Sequence, residues 1–466
     1  MKKQAAARLV ICLALVALLA APALAAELKV GAASAKITPP LGIPLAGYYH
    51  ARGAQGVLDD LYAKALVLDD GRTKVALVTC DLISIPRHTI EASRQAIEDK
   101  TGIPGGNVMI SATHTHTGPS LPRQSSKDEL DGGSNDKAQA YAASLPGLIA
   151  QAVADAQAKA APAIVSCARE SEDRLAYCRR FWMKDGTVGW NPGKLNPNII
   201  RPVSPIDPEV GVVYFETAAR QPVATYVNYA MHTDTTGGEQ ISADYPGVLA
   251  MRLAEYRGGE MQTLFANGCC GDLNHFNVQW GDRQRGRDEA IRLGTILAAS
   301  VMKAYMDLRP VEAATLRVRH EMLQLPLPPV SEEDVRQAEE IKKKGSEAKF
   351  LEQVQAYKAL DVAERQGKPL EVEVQVITLG DELAWVSLPG EIFVDIGLSI
   401  KAVSPFRQTH IAELANGSVG YIPNRSAYAE GNYEVISARC GEGSGEMLVT
   451  AAARMLNEMH AEAQKP

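Results

Sequence analysis

Short β-branched and apolar runs alternate with helical runs through the first two thirds of the chain, and this alternation constrains the fold more than any other feature. Strands are expected at residues 75–79, 210–215 and 223–229, and amphipathic helices at residues 89–100 and 288–309. Strands that alternate with helices assemble into sheets whose faces the helices cover. The chain is therefore predicted to be an α/β protein of mixed, layered sheets flanked by helices.

The first 26 residues have the pattern of an export signal. A basic start precedes an apolar run at residues 9–20, and residues 23–25 form a small-residue cleavage motif. The apolar run is short for a bilayer span, and no second long apolar run follows it. We therefore expect a secreted or periplasmic protein with no stable membrane span.

The remaining residues 27–466 suffice for one large domain, and 46% of the chain is hydrophobic, enough for a substantial core. The net charge of −7 is spread along the sequence without a basic patch. We therefore expect no nucleic-acid partner. The oligomeric state is left open.

Two helical regions depart from the regular alternation. Residues 331–368 are rich in Glu, Lys, Gln and Ala, and we expect two charged helices that project from the body as an exposed insertion. Residues 138–160 are alanine-rich and mostly helical, although Pro146 is expected to break or kink that helix.

The chain has seven cysteines, and Cys12 lies in the export signal, which leaves six. None shows the C-x-x-C spacing of a structural zinc site. Export permits disulfides, and one bridge between Cys167 and Cys178 would staple the short segment between them. The six are interpreted as disulfide or buried-thiol candidates, with the pairing left open.

The chain has only nine histidines, yet two of them, His114 and His116, are separated by a single residue in the motif SATHTHTGP. The preceding residues 107–110 are expected to form a short buried strand. Because side chains alternate along a strand, the two imidazoles of a terminal His-x-His share one face. The two histidines of such a pair can both bind one metal, or one can bind a metal while the other contacts substrate. The alternative without a function is that they are two polar residues of a surface loop.

Three further candidate ligands follow strands or glycine-marked turns. They are His232, Glu391 after the motif LPG, and Tyr421 after the motif GSVG. Alone, a histidine after a strand is more often a hydrogen-bonded loop residue. Taken together, the candidates supply imidazoles and a carboxylate, a set that suits a hydrolytic zinc centre.

Several motifs together resemble the catalytic domain of the neutral ceramidase family. They are VGAASAKITPP (residues 30–40), GY (47–48), NVMISATHTHTGP (107–119), ISADYPG (241–247), LPGE (388–391), and Tyr421 with Tyr428, Tyr433 and Glu434. The resemblance covers most of the chain after the export signal. It implies a mixed α/β layered domain that hydrolyses an N-acyl amide.

The resemblance also implies roles for individual residues. Carried over position by position, the family's zinc ligands fall on His114, His232, Glu391 and Tyr421. His116 falls where the family places a residue that contacts substrate near the metal. Tyr433 matches another active-site tyrosine of the family. Arg180 is assigned to the position of a substrate-contacting arginine.

Two departures from the family pattern affect the expected function. Asn274, in the segment GDLNHF, stands where the family has an active-site serine. An amide can donate a hydrogen bond to an oxyanion but cannot act as a nucleophile, so a route through that serine is excluded. The chain also ends at Pro466, and we expect no C-terminal immunoglobulin-like domain, which family members usually carry.

The leading hypothesis is a secreted, zinc-dependent amidohydrolase that acts on a small-molecule amide or lipid. In it, Zn²⁺ polarises the carbonyl and lowers the pKa of a water, His116 or a nearby carboxylate transfers protons, and Tyr433 with Asn274 stabilises the oxyanion. Loop tryptophans and only seven phenylalanines favour a small polar substrate over long-chain ceramide. The alternatives are a non-catalytic exported binding protein and a zinc hydrolase of a small polar amide, ester or N-acyl sugar.

Overall fold

The computed structural model describes residues 28–464, except residues 124, 127 and 313. The export signal expected at residues 1–26 lies outside the described residues. Among the helices of the described part, none is both long enough and apolar enough to cross a bilayer.

Strands and helices alternate along the described chain. The strands are β1 Lys29–Lys36, β2 Gly56–Val57, β3 Tyr62–Asp69, β4 Lys74–Cys80, β5 Val108–Ala112, β6 Ala161–Ser171, β7 Tyr177–Cys178, β8 Arg180–Met183, β9 Val188–Trp190, β10 Ile199–Pro202, β11 Glu209–Thr217, β12 Pro222–Tyr229, β13 Gln240–Ile241, β14 Gln262–Asn267, β15 Leu273–Asn274, β16 Arg309–Pro310, β17 Leu316–Leu325, β18 Leu370–Leu379, β19 Leu383–Ser387, β20 Glu391–Ile392, β21 Gln408–Ala412 and β22 Tyr421–Ile422. The α-helices are α1 Arg87–Thr101, α2 Asp128–Asp131, α3 Asp136–Ala158, α4 Asp244–Arg257, α5 Arg287–Ala304, α6 Glu332–Lys344, α7 Phe350–Glu364, α8 Val394–Val403, α9 Arg425–Glu430, α10 Tyr433–Ser437 and α11 Ser444–Ala463.

Two sheets form the framework. The large sheet has nine strands in the order β14-β12-β11-β6-β1-β3-β4-β5, with β16 paired to β6. Its β4–β5 and β12–β14 pairs are parallel, whereas its other pairs are antiparallel. The second sheet has the order β17-β18-β19-β21, in which β19 and β21 run parallel.

The sheets enclose a central apolar core, and helices cover their outer faces. On β4, Val75 and Leu77 face the central core, whereas Ala76 and Val78 face the helices. Because both faces are buried, this strand is a continuous apolar run in the sequence. Helices α1 and α3 cover one half of the large sheet, α4 and α5 cover the other half, and α8 and α11 cover the second sheet. The predicted fold class is confirmed.

The two edge strands of the large sheet, β5 and β14, are joined by residues 413–416, which we call the bridging segment. The backbone N–H of Glu413 donates to the carbonyl of Asn267 at the end of β14 (3.0 Å). The backbone N–H of Asn416 donates to the carbonyl of Ile110 in β5 (2.8 Å), and the Asn416 side-chain oxygen accepts from the Ile110 N–H (3.0 Å). The bridging segment therefore holds the ends of β5 and β14 side by side.

Helix α3 is continuous across Pro146, where the sequence indicated a break or kink. The proline removes one backbone donor from the helix. Leu145 and Ile149, on the buried face, pack into the core on either side of it. Tertiary packing of this face therefore maintains the helix.

The charged segment forms the two expected helices, paired as a hairpin, but only α6 is largely exposed. On α7, Tyr357 and Leu360 are buried. Asp361 accepts hydrogen bonds from the Arg439 guanidinium (2.6 Å) and from the Ser126 N–H (3.0 Å). The apolar face of α7 and this carboxylate fasten it to the body, so α7 does not project as expected.

The six cysteines of the described residues, at positions 80, 167, 178, 269, 270 and 440, are free, buried thiols. Cys167 accepts from the Arg407 guanidinium (2.9 Å), whereas Cys178 lies 3.2 Å from the Ser204 hydroxyl. The bridge considered between Cys167 and Cys178 is therefore not formed.

A buried ion-pair cluster ties α1 to the second sheet. Glu373 on β18 accepts from Arg94 Nη2 (2.7 Å) and Arg87 Nη1 (2.6 Å), both on α1. Asn416 of the bridging segment donates to the same carboxylate (3.1 Å). Burial opposes ionisation of Glu373, but the two guanidinium groups outweigh it and lower its pKa.

We expect Glu373→Ala to lower the free energy of unfolding by about 3 kcal/mol, because it leaves Arg94 buried without its counter-charge. Urea denaturation followed by circular dichroism measures the change. The control is Glu91→Ala: Glu91 pairs with the same Arg87 but is 59% exposed, so its loss should cost less than about 1 kcal/mol. Equal effects of the two variants would contradict this role of Glu373.

Candidate metal centre

His114 is positioned by the loop that follows β5. The strand ends at Ala112, and His114 has a φ of 69°, in the left-handed region that non-glycine residues rarely adopt. Its N–H donates to the carbonyl of Leu82 (2.8 Å). The rings of His114 and His116 are 4.8 Å apart and nearly perpendicular. This loop conformation brings the two imidazoles together. The sequence had indicated a different cause, namely the alternation of side chains along a strand, but the strand ends before His114.

His232 follows β12 and is held by a turn built around Asp244. The fully buried Asp244 carboxylate accepts from the backbone N–H groups of Thr235 (2.9 Å) and Thr236 (2.8 Å). Nδ1 of His232 lies 3.2 Å from the carbonyl of Cys270. The backbone turn and this ring contact together fix the direction of the imidazole.

Glu391 and Tyr421 lie opposite each other in the parallel pair of β20 and β22. A Cβ atom at Gly390 would lie 2.4 Å from the carbonyl oxygen of Gly420, so only glycine permits this close approach. The Tyr421 hydroxyl is hydrogen-bonded to the Glu391 carboxylate. The glycine of the LPGE motif therefore brings the two side chains together.

The side chains of His114, His232 and Glu391 surround one point. Nε2 of His114 is 2.9 Å from Nε2 of His232, and the two nitrogens lie 3.4 and 3.5 Å from Oε2 of Glu391. Zinc–ligand bonds of about 2.0–2.1 Å place the ligands of a tetrahedral ion about 3.3 Å apart. The observed separations fit one small divalent cation.

The hydrogen-bond partners of the two histidine rings support this fit. Nδ1 of His114 lies 2.8 Å from the carbonyl of Ile83, and Nδ1 of His232 faces the carbonyl of Cys270. Each Nδ1 is thereby assigned as the N–H donor, so in the neutral ring each Nε2 carries a lone pair. Burial opposes protonation of His114, but Glu391 outweighs it and raises the pKa of that imidazole. Two lone pairs that face each other repel unless a cation lies between them. Metal-binding histidines commonly donate their other N–H to a backbone carbonyl in this way.

His116 completes a buried group of three histidines whose ring nitrogens lie within 4.8 Å of one another. Its Nε2 is 3.3 Å from Nε2 of His114, and its Nδ1 is 3.8 Å from Oδ1 of Asp234. The Tyr48 hydroxyl donates to the same Asp234 oxygen (2.7 Å). Burial lowers the pKa of His116 to about 4, so its imidazole is neutral at pH 7.

The structure places Arg179 at the centre, whereas it turns Arg180 away. Arg179 Nη2 donates to the Tyr421 hydroxyl (3.0 Å), and its Nη1 is 3.5 Å from Nε2 of His232. Both arginines pair with Glu434, Arg179 at 2.7 Å and Arg180 at 3.0 Å, but Arg180 also pairs with Glu430 (3.0 Å). Adjacent residues of an extended chain point to opposite sides, which accounts for the difference.

Tyr433 and Asn274, the other two candidates, lie in different surroundings. The Tyr433 ring packs against Tyr421 (5.5 Å between centroids) and Trp190 (4.4 Å), beside the ligands. The Asn274 amide donates to Oδ1 of Asn191 (2.9 Å), and its oxygen accepts from the N–H of Phe276 (3.0 Å). These bonds direct Asn274 towards the loop rather than towards the ligands.

Two buried carboxyl groups near the centre differ in charge. Burial opposes ionisation of Glu391, but His114, Tyr421 and Arg179 outweigh it and hold its pKa at about 2. Burial raises the pKa of Glu413 to about 8. Glu391 is therefore ionised, whereas Glu413 accepts hydrogen bonds from backbone N–H groups and stabilises the framework.

A cleft of about 760 Å³ leads to these side chains. Near the ligands it is lined by His116, Tyr433 and Tyr49. The rest of its wall is rich in charged residues, namely Arg87, Glu91, Arg123, Asp361, Glu364, Arg365, Lys368, Glu371 and Arg439. Helix α7 and the turn after it supply one side of this wall, so the hairpin shapes the cleft.

Three residues that shape the centre were not among the site residues predicted from the sequence: Arg179, Asp234 and Glu413. Arg179 adjoins the Arg180 that was chosen, and Asp234 closely follows His232, so proximity to chosen residues was the available signal. Glu413 follows an apolar strand as a single carboxylate, which carries no recognisable pattern.

No family model matches the chain. Among solved structures, it is similar to the neutral ceramidase from Pseudomonas aeruginosa, with a TM-score of 0.74 and 19% sequence identity over 94% of this chain and 75% of that one. It is also similar to a ceramidase complexed with C2, with a TM-score of 0.73 and 17% identity over 94% and 76% of the two chains. The resemblance to neutral ceramidases is confirmed at the level of the fold.

We expect the purified protein to retain about one divalent cation per chain, because the facing imidazole nitrogens require a positive charge between them. Elemental analysis after dialysis measures the ion. His114→Ala and His232→Ala should each abolish retention, whereas His320→Ala, at an exposed position, should preserve it. Equal metal content in all four proteins would show that the ion is held elsewhere.

Proposed function

We propose that this protein is a zinc-dependent hydrolase that cleaves an N-acyl amide bond. The observation that carries the proposal is the meeting of two imidazole nitrogens and a carboxylate oxygen around one point at the base of a cleft. The fold shared with two ceramidases supports the same reaction class. Fold alone does not fix function, so the geometry of the site carries the proposal.

His114, His232, Glu391 and Tyr421 would hold the ion. When bound, Zn²⁺ would supply Lewis acidity and a water of lowered pKa. The chain contributes an ionised Glu391 carboxylate and two imidazoles whose Nδ1 atoms face backbone carbonyls, which leaves Nε2 of each ring directed at the ion.

His116 is the candidate for proton transfer. Its Nε2 faces the ligands, and its Nδ1 faces the Asp234 carboxylate, which would stabilise the imidazolium formed when Nε2 accepts a proton. The hydrogen bond from Tyr48 fixes the orientation of Asp234. The same imidazole would return the proton to the departing amine.

Arg179 and Tyr433 are the candidates for stabilising the oxyanion. The Arg179 guanidinium lies within hydrogen-bonding distance of Tyr421, and Tyr433 packs against the same tyrosine ring. Donors fixed in place before the reaction stabilise developing negative charge most effectively. Arg179 takes the role for which the sequence analysis chose Asn274, since Asn274 is bonded to the loop.

The cleft favours a small polar amide, ester or N-acyl sugar over a long-chain ceramide. Charged side chains of α1, α7 and the segment after α10 form much of its wall. An alkyl chain gains about 0.8 kcal/mol per buried CH₂ only against apolar surface. Against charged groups it would also remove their hydration, which costs free energy.

A binding protein without catalytic activity is the second candidate, and Asn274 at the position of the family's serine is the observation that favours it. Such a protein would bind an amide and leave it intact. The pattern of residues 1–26 supports export to the periplasm or the exterior in either case.

We expect the metal-loaded protein to hydrolyse members of a panel of short N-acyl amino acids, N-acetyl sugars and small amides, with activity lost on chelation and restored by Zn²⁺. Glu391→Gln should lower kcat/KM by about 100-fold or more, because it removes the anionic ligand while preserving shape. Glu333→Gln, exposed on α6, is the matched control and should retain activity. Binding of a panel member without metal-dependent turnover would favour the binding protein.

We expect little or no hydrolysis of a long-chain ceramide in mixed micelles, because the charged wall offers an alkyl chain too little apolar surface. Release of fatty acid, compared with turnover of the best small amide, measures the preference. Efficient ceramide hydrolysis that disappears in Glu391→Gln would overturn this expectation and assign the ordinary ceramidase reaction.

A further inference from the structure

Two of the four guanidinium groups of the cleft wall, those of Arg87 and Arg439, are neutralised by carboxylates of the protein. Arg87 pairs with Glu91 (2.9 Å) and Glu373 (2.6 Å). Arg439 pairs with Asp361 through two nitrogens (2.6 and 2.8 Å). These arginines are therefore already engaged and offer a ligand little free charge.

Arg123 differs from them. Its backbone N–H donates to both oxygens of Asp128 (2.9 and 3.1 Å), which fixes the chain at this position. Its guanidinium is half-buried and makes one long contact, from Nη2 to the Ser84 hydroxyl (3.5 Å). Among the side chains that the structure describes, no carboxylate forms an ion pair with this guanidinium.

Arg123 lies near the candidate metal centre. Its contact Ser84 directly follows Ile83, whose carbonyl is 2.8 Å from Nδ1 of His114. Ser84, Ile83, Arg123 and His114 all line the same cleft. A ligand that reaches the imidazoles therefore passes within reach of a guanidinium that pairs with no described carboxylate.

A half-buried guanidinium has lost part of its hydration and gains most from a ligand that restores two parallel hydrogen bonds. A carboxylate has the matching geometry. Arg365 and Lys368 add positive charge to the wall, and neither forms an ion pair with a described carboxylate. Glu364 and Glu371 are opposing charges of the same wall, and both are exposed to solvent.

We propose that Arg123 binds a carboxylate group of the ligand, so that the substrates of this protein are acidic N-acyl amides. The inference deepens the proposed hydrolase function and rests on it for turnover. It is independent of that function for recognition, because Arg123 binds the carboxylate whether or not the amide is cleaved. Arg123 is thus a specificity-determining residue.

Two matched substrate pairs test the proposal, each comparing a carboxylate with a neutral analogue of similar shape. N-butyrylglycine and N-butyrylglycinamide differ on the amine side, whereas N-propylsuccinamic acid and N-propylbutyramide differ on the acyl side. Release of butyrate or propylamine gives kcat/KM for each compound. Titration calorimetry of the same compounds measures their binding affinity independently of turnover.

We expect the wild type to prefer the acid of at least one pair by about tenfold or more. Arg123→Met should abolish that preference through KM and leave the neutral analogue unaffected, and Arg123→Lys should restore part of it. Arg169→Met, exposed on β6, is the control and should keep the preference.

Equal turnover and equal binding of acid and neutral compound in both pairs would overturn the role of Arg123. An Arg123→Met variant that loses both members of a pair equally would do the same, because it indicates a structural role. Preferential binding of the acid without turnover, lost in Arg123→Met, would support Arg123 and contradict the hydrolase proposal instead.

Discussion

The bridging segment is the constraint on which the candidate centre depends. Its Glu413 carboxyl accepts from the backbone N–H of Cys270 (3.1 Å), behind His232, and from that of Ile392 (2.8 Å), next to Glu391. The carbonyl of Leu414 accepts from Ala112, the last residue of β5 before the His114 loop. One buried segment thereby sets the relative positions of three ligand loops. Buried N–H groups left without these acceptors would each cost about 1–3 kcal/mol.

The fold brings the ligands together because the large sheet closes on itself at this segment. His114 follows the edge strand β5, and His232 follows β12, the parallel neighbour of the opposite edge strand β14. In an open, flat sheet of this order the two histidines would lie at distant edges. Joining the edges places both imidazoles over one point, where Glu391 and Tyr421 arrive from a separate strand pair.

The fold and the wall of the cleft carry different information about function. The similarity to two ceramidases extends over nearly the whole chain and concerns the fold. The wall of the cleft comes partly from α7, which is fastened to the body by Asp361 and by contacts of Phe350 with Tyr433 and Trp190. Framework and wall are separate elements, so the same centre can serve substrates of different polarity.

The sequence by itself determined the layered α/β class, the helical nature of the charged segment and the motifs that supply the ligands, because periodicity, turn residues and short motifs are local properties. Only the tertiary structure decided that α7 lines the cleft, that Arg179 rather than Arg180 reaches the centre, and that Glu413 organises it. These features depend on pairs far apart in sequence: Arg179 and Tyr421 are separated by 242 positions, and Cys270 and Glu413 by 143. No local pattern encodes such contacts, since each depends on how the large sheet closes and on which side chains its closure buries together.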